Sequence, residues 1–247
     1  MKVAAVYDVH GNLPALEAVL ADLRRLEVDR IVVGGDVLPG PMAAECLALL
    51  RDEKIPVDFI LGNGEVAALA ERDGRPSGVP EAFRAGVRWS GERLSAEDAE
   101  WVASWPLTLR FVVGGVGEVL FCHATPRDLN EIFTVRTPES VLRTIFDAAD
   151  ASLVVCGHTH MQFDRQIGTT RVVNAGSVGM PFGGRGAYWL LVGESPELRH
   201  TSYDLAAAAD RIRTGAYPGA AEFAAGNILD PPPAGVVLES YAKVELR

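Results

Sequence analysis

The sequence predicts an α/β protein built from two sheets that pack face to face between layers of helices. Short runs rich in valine and isoleucine recur along the chain and are separated by segments of helical periodicity. This pattern is typical of strands that are buried on both faces and covered by helices. After residue 150 the predicted strands follow one another without intervening helices, which indicates a second sheet that is mostly antiparallel.

The predicted strands are short and together account for both sheets. A hairpin between two of them is expected to turn at Gly114 and Gly115, within the tract RFVVGGVGEVLF. The ten strands are expected at residues 2–7, 30–34, 57–61, 107–113, 118–122, 152–156, 163–167, 171–174, 187–192 and 198–203.

Helix start signals mark two of the segments between strands. The first helix is expected at about 13–27, with Asn12 as its N-cap and Pro14 in its first turn. Another helix is expected to begin at Thr137 and Pro138 by the same combination of a capping side chain and a proline.

We expect one domain over residues 1–247. Residues 64–106 show helical patterns and lie between two strands, so they are expected to form a helical insertion that overhangs a site. Residues 204–247 are expected to form an alanine-rich helix and a proline-containing tail packed as an extended segment. A domain of this length can fold without a disulfide or a structural metal, so any metal would serve function.

The composition is that of an ordinary globular protein. The formal net charge of −10 argues against general nucleic-acid binding, which requires clustered lysine and arginine. Neither a signal peptide nor a long uncharged apolar run is recognised, so no membrane association is expected. The cysteines have apolar neighbours, which favours buried thiols and a reducing cytoplasm. The oligomeric state is left open. The three cysteines are Cys46, Cys122 and Cys156.

Polar side chains follow the ends of five predicted strands. Strand ends of an α/β sheet open onto one crevice, so these side chains are expected to meet there. Each also has a structural explanation, for example Asp8 in an Asx turn or His123 as a hydrogen-bonded core imidazole. Together they form a ligand set for two metal ions, since imidazole and carboxylate are the usual ligands of Zn, Mn, Fe and Ni. The set comprises Asp8, His10, Asp36, Asn63, His123, His158 and His160.

In order and spacing, these motifs resemble those of the calcineurin-like metallophosphoesterases, especially the short bacterial and archaeal phosphodiesterase branch. The family pattern is D-x-H, GD, GN-[HC]-[DE], a later H and GH-x-H. The resemblance covers residues 1 to about 192 and implies a two-sheet αββα sandwich. The matching segments are Asp8-Val9-His10, Gly35-Asp36, Gly62-Asn63-Gly64-Glu65, His123 and Gly157-His158-Thr159-His160.

The resemblance also implies roles for the seven residues. Asp36 would bridge two metal ions and, with Asn63 and His123, would take part directly in catalysis. The implied cofactors are two divalent transition-metal ions, with Mn favoured and Ni, Fe, Zn and Co as alternatives. One ion would be held by Asp8, His10 and His160, and the other by Asn63, His123 and His158.

The function that the resemblance implies is hydrolysis of a small phosphate ester, with phosphodiesters favoured. A metal pair about 3.5–4 Å apart lowers the pKa of a bridging water and clamps phosphoryl oxygens. The expected mechanism is therefore in-line attack by a metal-bridging hydroxide, without a protein nucleophile. The positive charge of the metals would attract the substrate to an acidic protein.

One position departs from the family pattern. Many members place histidine directly after the motif asparagine, where this chain has Gly64. The missing imidazole weakens the case for the first alternative, a phosphomonoesterase acting on nucleotides or phosphoproteins. Glu65 matches the acidic position that follows and is expected to support a ligand. The second alternative is a non-catalytic scaffold, as in the retromer subunit that has lost part of its metal set; retention of all seven positions argues against it.

Overall fold

Two mixed five-stranded sheets form the centre of the fold, in a computed structural model that describes residues 1–246. In the first sheet, three parallel strands are followed by one that runs antiparallel to them and then by one that runs antiparallel to that strand, so that the order is β3-β2-β1-β9-β10. Its strands are β1 (Val3–Val6), β2 (Arg30–Val33), β3 (Val57–Phe59), β9 (Ala187–Val192) and β10 (Pro196–Thr201).

The second sheet has a parallel centre and antiparallel edges. Its strand order is β4-β5-β6-β8-β7, where β6 runs parallel to both of its neighbours and the two outer pairs are antiparallel. The β4–β5 hairpin turns at residues 114–116, as the two glycines predict. The strands are β4 (Thr108–Val113), β5 (Gly117–Cys122), β6 (Leu153–Cys156), β7 (Phe163–Ile167) and β8 (Thr170–Asn174).

The expectation that the strands after residue 150 form a mostly antiparallel second sheet is wrong. A helix connects β5 to β6, and a helical crossover places the two strands parallel. Strand β9 is buried along nearly its whole length, and it lies in the first sheet between β1 and β10. A strand so deeply buried requires a neighbour on each side, which the edge of the second sheet does not offer.

Helices cover the outer face of each sheet. Asn12 caps α1 as predicted, since its Oδ1 accepts a hydrogen bond from the Ala15 amide at 3.2 Å. Thr137 does not cap α6; the residue before that helix is Pro138, and Thr137 Oγ1 accepts from the Thr134 amide instead. The helices are α1 (Leu13–Arg25), α2 (Ala43–Arg51), α3 (Asn63–Arg72), α4 (Glu81–Glu92), α5 (Ala96–Ala103), α6 (Glu139–Phe146), α7 (Leu205–Arg213), α8 (Ala220–Phe223) and α9 (Ala234–Tyr241).

The core is divided into layers by the alternation of side chains along the strands. In β1, Ala4 and Val6 face the helices, whereas Val3 and Ala5 face the other sheet. A third apolar cluster lies between the second sheet and α6. The order of layers is therefore helix, sheet, sheet, helix, which confirms the predicted αββα sandwich.

The segment between β3 and β4 is helical, as expected, and contains α3, α4 and α5. The expectation of an extended C-terminal tail is wrong, because α8 continues into a π-helical stretch at Ala224–Leu229 and α9 follows the three prolines. Pro233, with its φ fixed at −59°, directly precedes α9, where a proline suits the start of a helix. Within residues 1–246, no helix has the length and apolarity needed to span a membrane.

Candidate metal centre

The seven side chains singled out in the sequence lie together where strands of both sheets end. Each follows the carboxyl end of β1, β2, β3, β5 or β6, so the strand directions of two sheets place them in one crevice. Interatomic contacts connect all seven.

One group is formed by Asp8, His10 and His160. The Nε2 atoms of the two histidines are 3.2 Å apart, and Asp8 Oδ1 lies 3.3 Å from His160 Nε2 and 4.0 Å from His10 Nε2. All three side chains are buried. Their ligand atoms are therefore close enough to bind a single ion.

A second group is formed by Asp8, Asp36 and His123. His123 Nε2 lies 3.5 Å from Asp36 Oδ1 and 2.9 Å from Asn63 Oδ1. The other oxygen of Asp36, Oδ2, is 3.7 Å from His10 Nε2. The Asp36 carboxylate thus lies between His10 and His123, with one oxygen towards each.

His158 lies beside His123 and outside both groups. Its ring centroid is 5.1 Å from that of His123, and among the described residues its ring atoms belong to neither group. Its backbone amide, however, donates a hydrogen bond to Asp8 Oδ2 at 2.9 Å. The main chain at residue 158 therefore orients Asp8, which leaves Asp8 Oδ1 facing the centre.

Backbone carbonyls determine which nitrogen of three imidazoles faces the centre. Because a carbonyl only accepts, the Nδ1 atom that contacts it must donate, and Nε2 of the neutral ring then carries a lone pair. The contacts are His10 Nδ1 to Pro39 O at 3.2 Å, His123 Nδ1 to Gly34 O at 2.9 Å, and His160 Nδ1 to Met180 O at 2.8 Å.

These donor atoms fit divalent cations. The Nε2 atoms of His10 and His160 are 3.2 Å apart, so a proton or a metal cation must lie between them to avoid repulsion of their lone pairs. Asp8 Oδ1 is fully buried, and no donor in residues 1–246 makes a hydrogen bond to it. Buried acceptors without donors are costly, and a bound cation satisfies them. These residue groups indicate divalent metal binding.

The carboxylates of Asp8 and Asp36 affect each other's pKa through their charges. Burial would raise the pKa of Asp8, but the nearby His160 lowers it to about 2. Burial and the charge of Asp8 raise the pKa of Asp36 well above its usual value. Burial lowers the pKa of His10 to about 3, so its imidazole is neutral near pH 7 and available as a ligand.

The main chain is strained at most of these residues. Five of the seven have positive φ, a conformation that costs a residue with a side chain about 1–3 kcal/mol. The folded chain must offset this cost elsewhere, and such strain clusters at functional sites. The five residues are Asp8 (φ 53°), His10 (46°), Asp36 (55°), His158 (65°) and His160 (58°).

Glu65 holds the loop that carries Asp36. Its fully buried carboxylate accepts three backbone hydrogen bonds, from the amides of Asp36 (2.8 Å), Leu38 (3.0 Å) and Gly62 (2.9 Å). Burial and the charge of Asp36 raise the pKa of Glu65 to about 7. Since both oxygens are engaged by the main chain, Glu65 positions Asp36 and is not directed at a substrate.

The structure adds residues that sequence patterns did not single out. Phe182 stacks on His160 with ring centroids 5.0 Å apart and an interplanar angle of 22°. Burial, with a contribution from the charge of Asp8, raises the pKa of the Tyr241 phenol in α9 to about 12. The orienting carbonyls leave no signal in the sequence, because every residue type has one. For Phe182, the signal that the sequence does offer is the PFGG segment after the last motif.

Comparisons with known proteins agree with this geometry. A family model described as the calcineurin-like phosphoesterase superfamily domain matches residues 1–195. An uncharacterized protein of Methanocaldococcus jannaschii is 28% identical over 162 residues, which are 65% of this chain and 63% of that protein. The match thus spans less than two thirds of the length of that relative.

Two solved structures share the fold. A hypothetical protein from Pyrococcus horikoshii has a TM-score of 0.74 at 21% identity, over 90% of this chain and 97% of that one. A metallophosphoesterase from Sphaerobacter thermophilus has a TM-score of 0.71 at 25% identity, over 92% of this chain and 99% of that one. Both similarities extend well beyond the metal centre.

Proposed function

Because the chain belongs to the calcineurin-like phosphoesterase superfamily, we propose that it is a metal-dependent hydrolase of small phosphodiesters. The observation that carries this proposal is the convergence of acceptor atoms around Asp8 Oδ1, which is buried without a hydrogen-bond donor. The description of the Sphaerobacter thermophilus structure as a metallophosphoesterase supports the same class of enzyme.

In this proposal the seven residues hold two divalent cations. Asp8, His10 and His160 form one set and Asn63, His123 and His158 the other, with Asp36 shared between them. When bound, the cations would supply Lewis-acid stabilisation of the phosphoryl oxygens and activate the attacking water. Mn is the metal we expect, because the carboxylate and amide oxygens of the set suit it; the imidazoles also suit the alternatives, which are Ni, Fe, Zn and Co.

The side chains of the centre have distinct tasks. Asp36 offers one oxygen towards His10 and the other towards His123, which suits a carboxylate shared by both sets. Asn63 contributes a neutral oxygen beside His123, which limits the negative charge of the site. Two carboxylates against two divalent cations leave the centre positive. This charge would attract a phosphate ester to a chain of net charge −10.

The absence of a proton donor at position 64 favours diesters. Gly64 stands where many relatives have histidine, and the neighbouring Glu65 has both oxygens in hydrogen bonds to the main chain. Neither residue can protonate a departing oxygen. The proposed substrates therefore carry a good leaving group or a second ester bond that lowers the charge of the reacting phosphate. We propose that the enzyme acts in the cytoplasm on such small molecules.

The test is a comparison of paired substrates with the same leaving group. We would supply the protein with Mn, Ni, Mg or Zn and measure kcat/KM for bis(p-nitrophenyl) phosphate and for p-nitrophenyl phosphate. The proposal expects kcat/KM to be at least about tenfold higher for the diester with the best metal. A clear preference for the monoester would support the phosphomonoesterase alternative, and no hydrolysis with any metal would contradict the proposal.

A further inference from the structure

A cavity of about 340 Å³ opens directly beside the metal centre. Thr159 and His160, from the last motif, form one part of its wall, and Ala234 and Leu238 of α9 form another part. Cavities of about 300–1,000 Å³ are typical of small-molecule sites. At the lower end of that range, this one suits a single ring or a short chain and not a peptide.

The wall of the cavity is uncharged apart from His160. Among the described residues that line it there is no aspartate, glutamate, lysine or arginine, and Val135, Phe182 and Leu238 present apolar surface. A charged group placed here would lose its hydration without gaining a partner, which is costly. The electrostatics therefore favour a neutral, apolar occupant.

Most polar side chains of the wall already make hydrogen bonds within the protein. The Gln162 side chain donates from Nε2 to the carbonyls of Ala175 at 3.1 Å and Trp189 at 2.9 Å. Phe182 stacks on the imidazole of His160, and so carries the aromatic surface of the cavity up to the metal centre. A ligand with its phosphoryl group at the centre would thus have an apolar wall within reach.

Hydrogen bonds before and after α9 hold this helix against the rest of the protein, so the cavity wall that it forms is part of the fold. Before the helix, the Gly183 amide donates to the Pro232 carbonyl at 2.9 Å. After the helix, Thr137 Oγ1 donates to Glu245 at 2.7 Å, and the Leu246 amide donates to the Ile132 carbonyl at 2.9 Å. The helix itself contains no fully buried residue, and Leu238 is one of its half-buried side chains.

We infer that this cavity binds the neutral apolar arm, an aromatic ring or a short alkyl group, of a phosphate ester whose phosphoryl group lies at the metal centre. The inference rests on the proposed function and names its substrate class. It also assigns a task to the C-terminal segment, which lies beyond the family match at residues 1–195. Leu238 is then a residue that determines specificity.

The test measures binding of two phosphonates that cannot be hydrolysed, benzylphosphonate and methylphosphonate, to the Mn-loaded protein by calorimetry. Burial of a ring contributes about 1.5–3 kcal/mol, so benzylphosphonate should bind at least about tenfold more tightly. Leu238→Asp should abolish this preference. Val236→Asp is the matched control, because Val236 is on the same helix, is 62% exposed and does not line the cavity; it should leave both affinities unchanged.

Equal affinities of the two phosphonates for the wild-type protein would overturn the inference, whatever the variants do. It would also be overturned if Leu238→Asp kept the full preference or if Val236→Asp lost it. Hydrolysis assays on the same preparations distinguish this failure from that of the proposed function. If the protein hydrolyses diesters but shows no preference for the benzyl group, only the proposal for the cavity fails. If neither phosphonate binds, the proposal for the cavity and that of a phosphoryl site at the metals both fail.

Discussion

The backbone amide of Gly64 donates a hydrogen bond to Asp36 Oδ1 at 2.7 Å, and the same glycine packs directly against the main chain at Leu38. A Cβ atom at position 64 would lie 2.1 Å from the Leu38 carbonyl oxygen. The φ of Gly64 is not in the left-handed region. The close approach of two backbone segments therefore requires this glycine, and a histidine at this position, as in many relatives, would not fit here.

Gly64→Ala is expected to destabilise the protein by about 1–3 kcal/mol, because forcing extra atoms into a close-packed position displaces the main chain. This corresponds to a decrease in Tm of about 2–12 °C. The matched control is Gly235→Ala in the first turn of α9, where a Cβ would meet nothing within 4 Å. The control should leave Tm unchanged or raise it slightly. Equal melting temperatures for both variants would refute the proposed close approach.

The rate of hydrolysis is expected to fall steeply as the pKa of the leaving group rises. General-acid help contributes about 10²–10⁴-fold for poor leaving groups, and neither Gly64 nor Glu65 can provide it. The measurement is log kcat/KM for a series of aryl and alkyl phosphodiesters that share one retained arm. A slope near zero across the series would show that a proton donor acts on the leaving oxygen.

The three cysteines are expected to take no part in catalysis. Burial raises the pKa of Cys46, Cys122 and Cys156, so their thiols stay protonated and unreactive near pH 7. Cys122→Ala and Cys156→Ala should each cost about 1–2 kcal/mol of stability through lost packing and leave kcat within about twofold. Titration of diesterase activity against iodoacetamide under native conditions checks this. Loss of activity in step with thiol alkylation would contradict it.

The metal-free protein is expected to lose stability as the pH falls from about 6.5 towards 3, in part because of His158. Burial and the charge of His123 lower the pKa of His158 to about 3 in the folded state, whereas it is about 6.5 in the unfolded chain. Between these values the unfolded state binds more protons, so the free energy of unfolding decreases as the pH falls. Urea unfolding in the presence of chelator measures it at pH 7 and pH 5.

His158→Asn removes this titrating group and should reduce the loss of stability between pH 7 and pH 5 by about 1–2 kcal/mol relative to the wild type. The remaining pH dependence of the variant would come from other buried side chains of the centre, among them His10. An unchanged pH dependence in the variant would show that His158 is not held neutral by the fold.

The layered fold could be predicted because strand burial and helix periodicity are local properties of the sequence. The sheet to which β9 belongs could not, because that depends on which edge remains unpaired after the other strands have formed. The seven polar residues were found from their position at strand ends, but their grouping around Asp8 Oδ1 depends on carbonyl contacts from Pro39, Gly34 and Met180. The close packing of Gly64 on Leu38 likewise joins two loops that no sequence pattern connects.

A titration of chelator-stripped protein with Mn²⁺, in which bound metal and diester hydrolysis are measured on the same samples, tests the proposed two-metal centre. We predict two ions per chain, with turnover rising as the sites fill. Asp36→Asn should bind less metal and lose at least about 100-fold in turnover, whereas the control Asp164→Asn, an exposed strand residue paired with Arg171, should behave as wild type. Wild-type turnover by metal-free protein, or by Asp36→Asn, would show that the two-metal centre does not carry out the reaction.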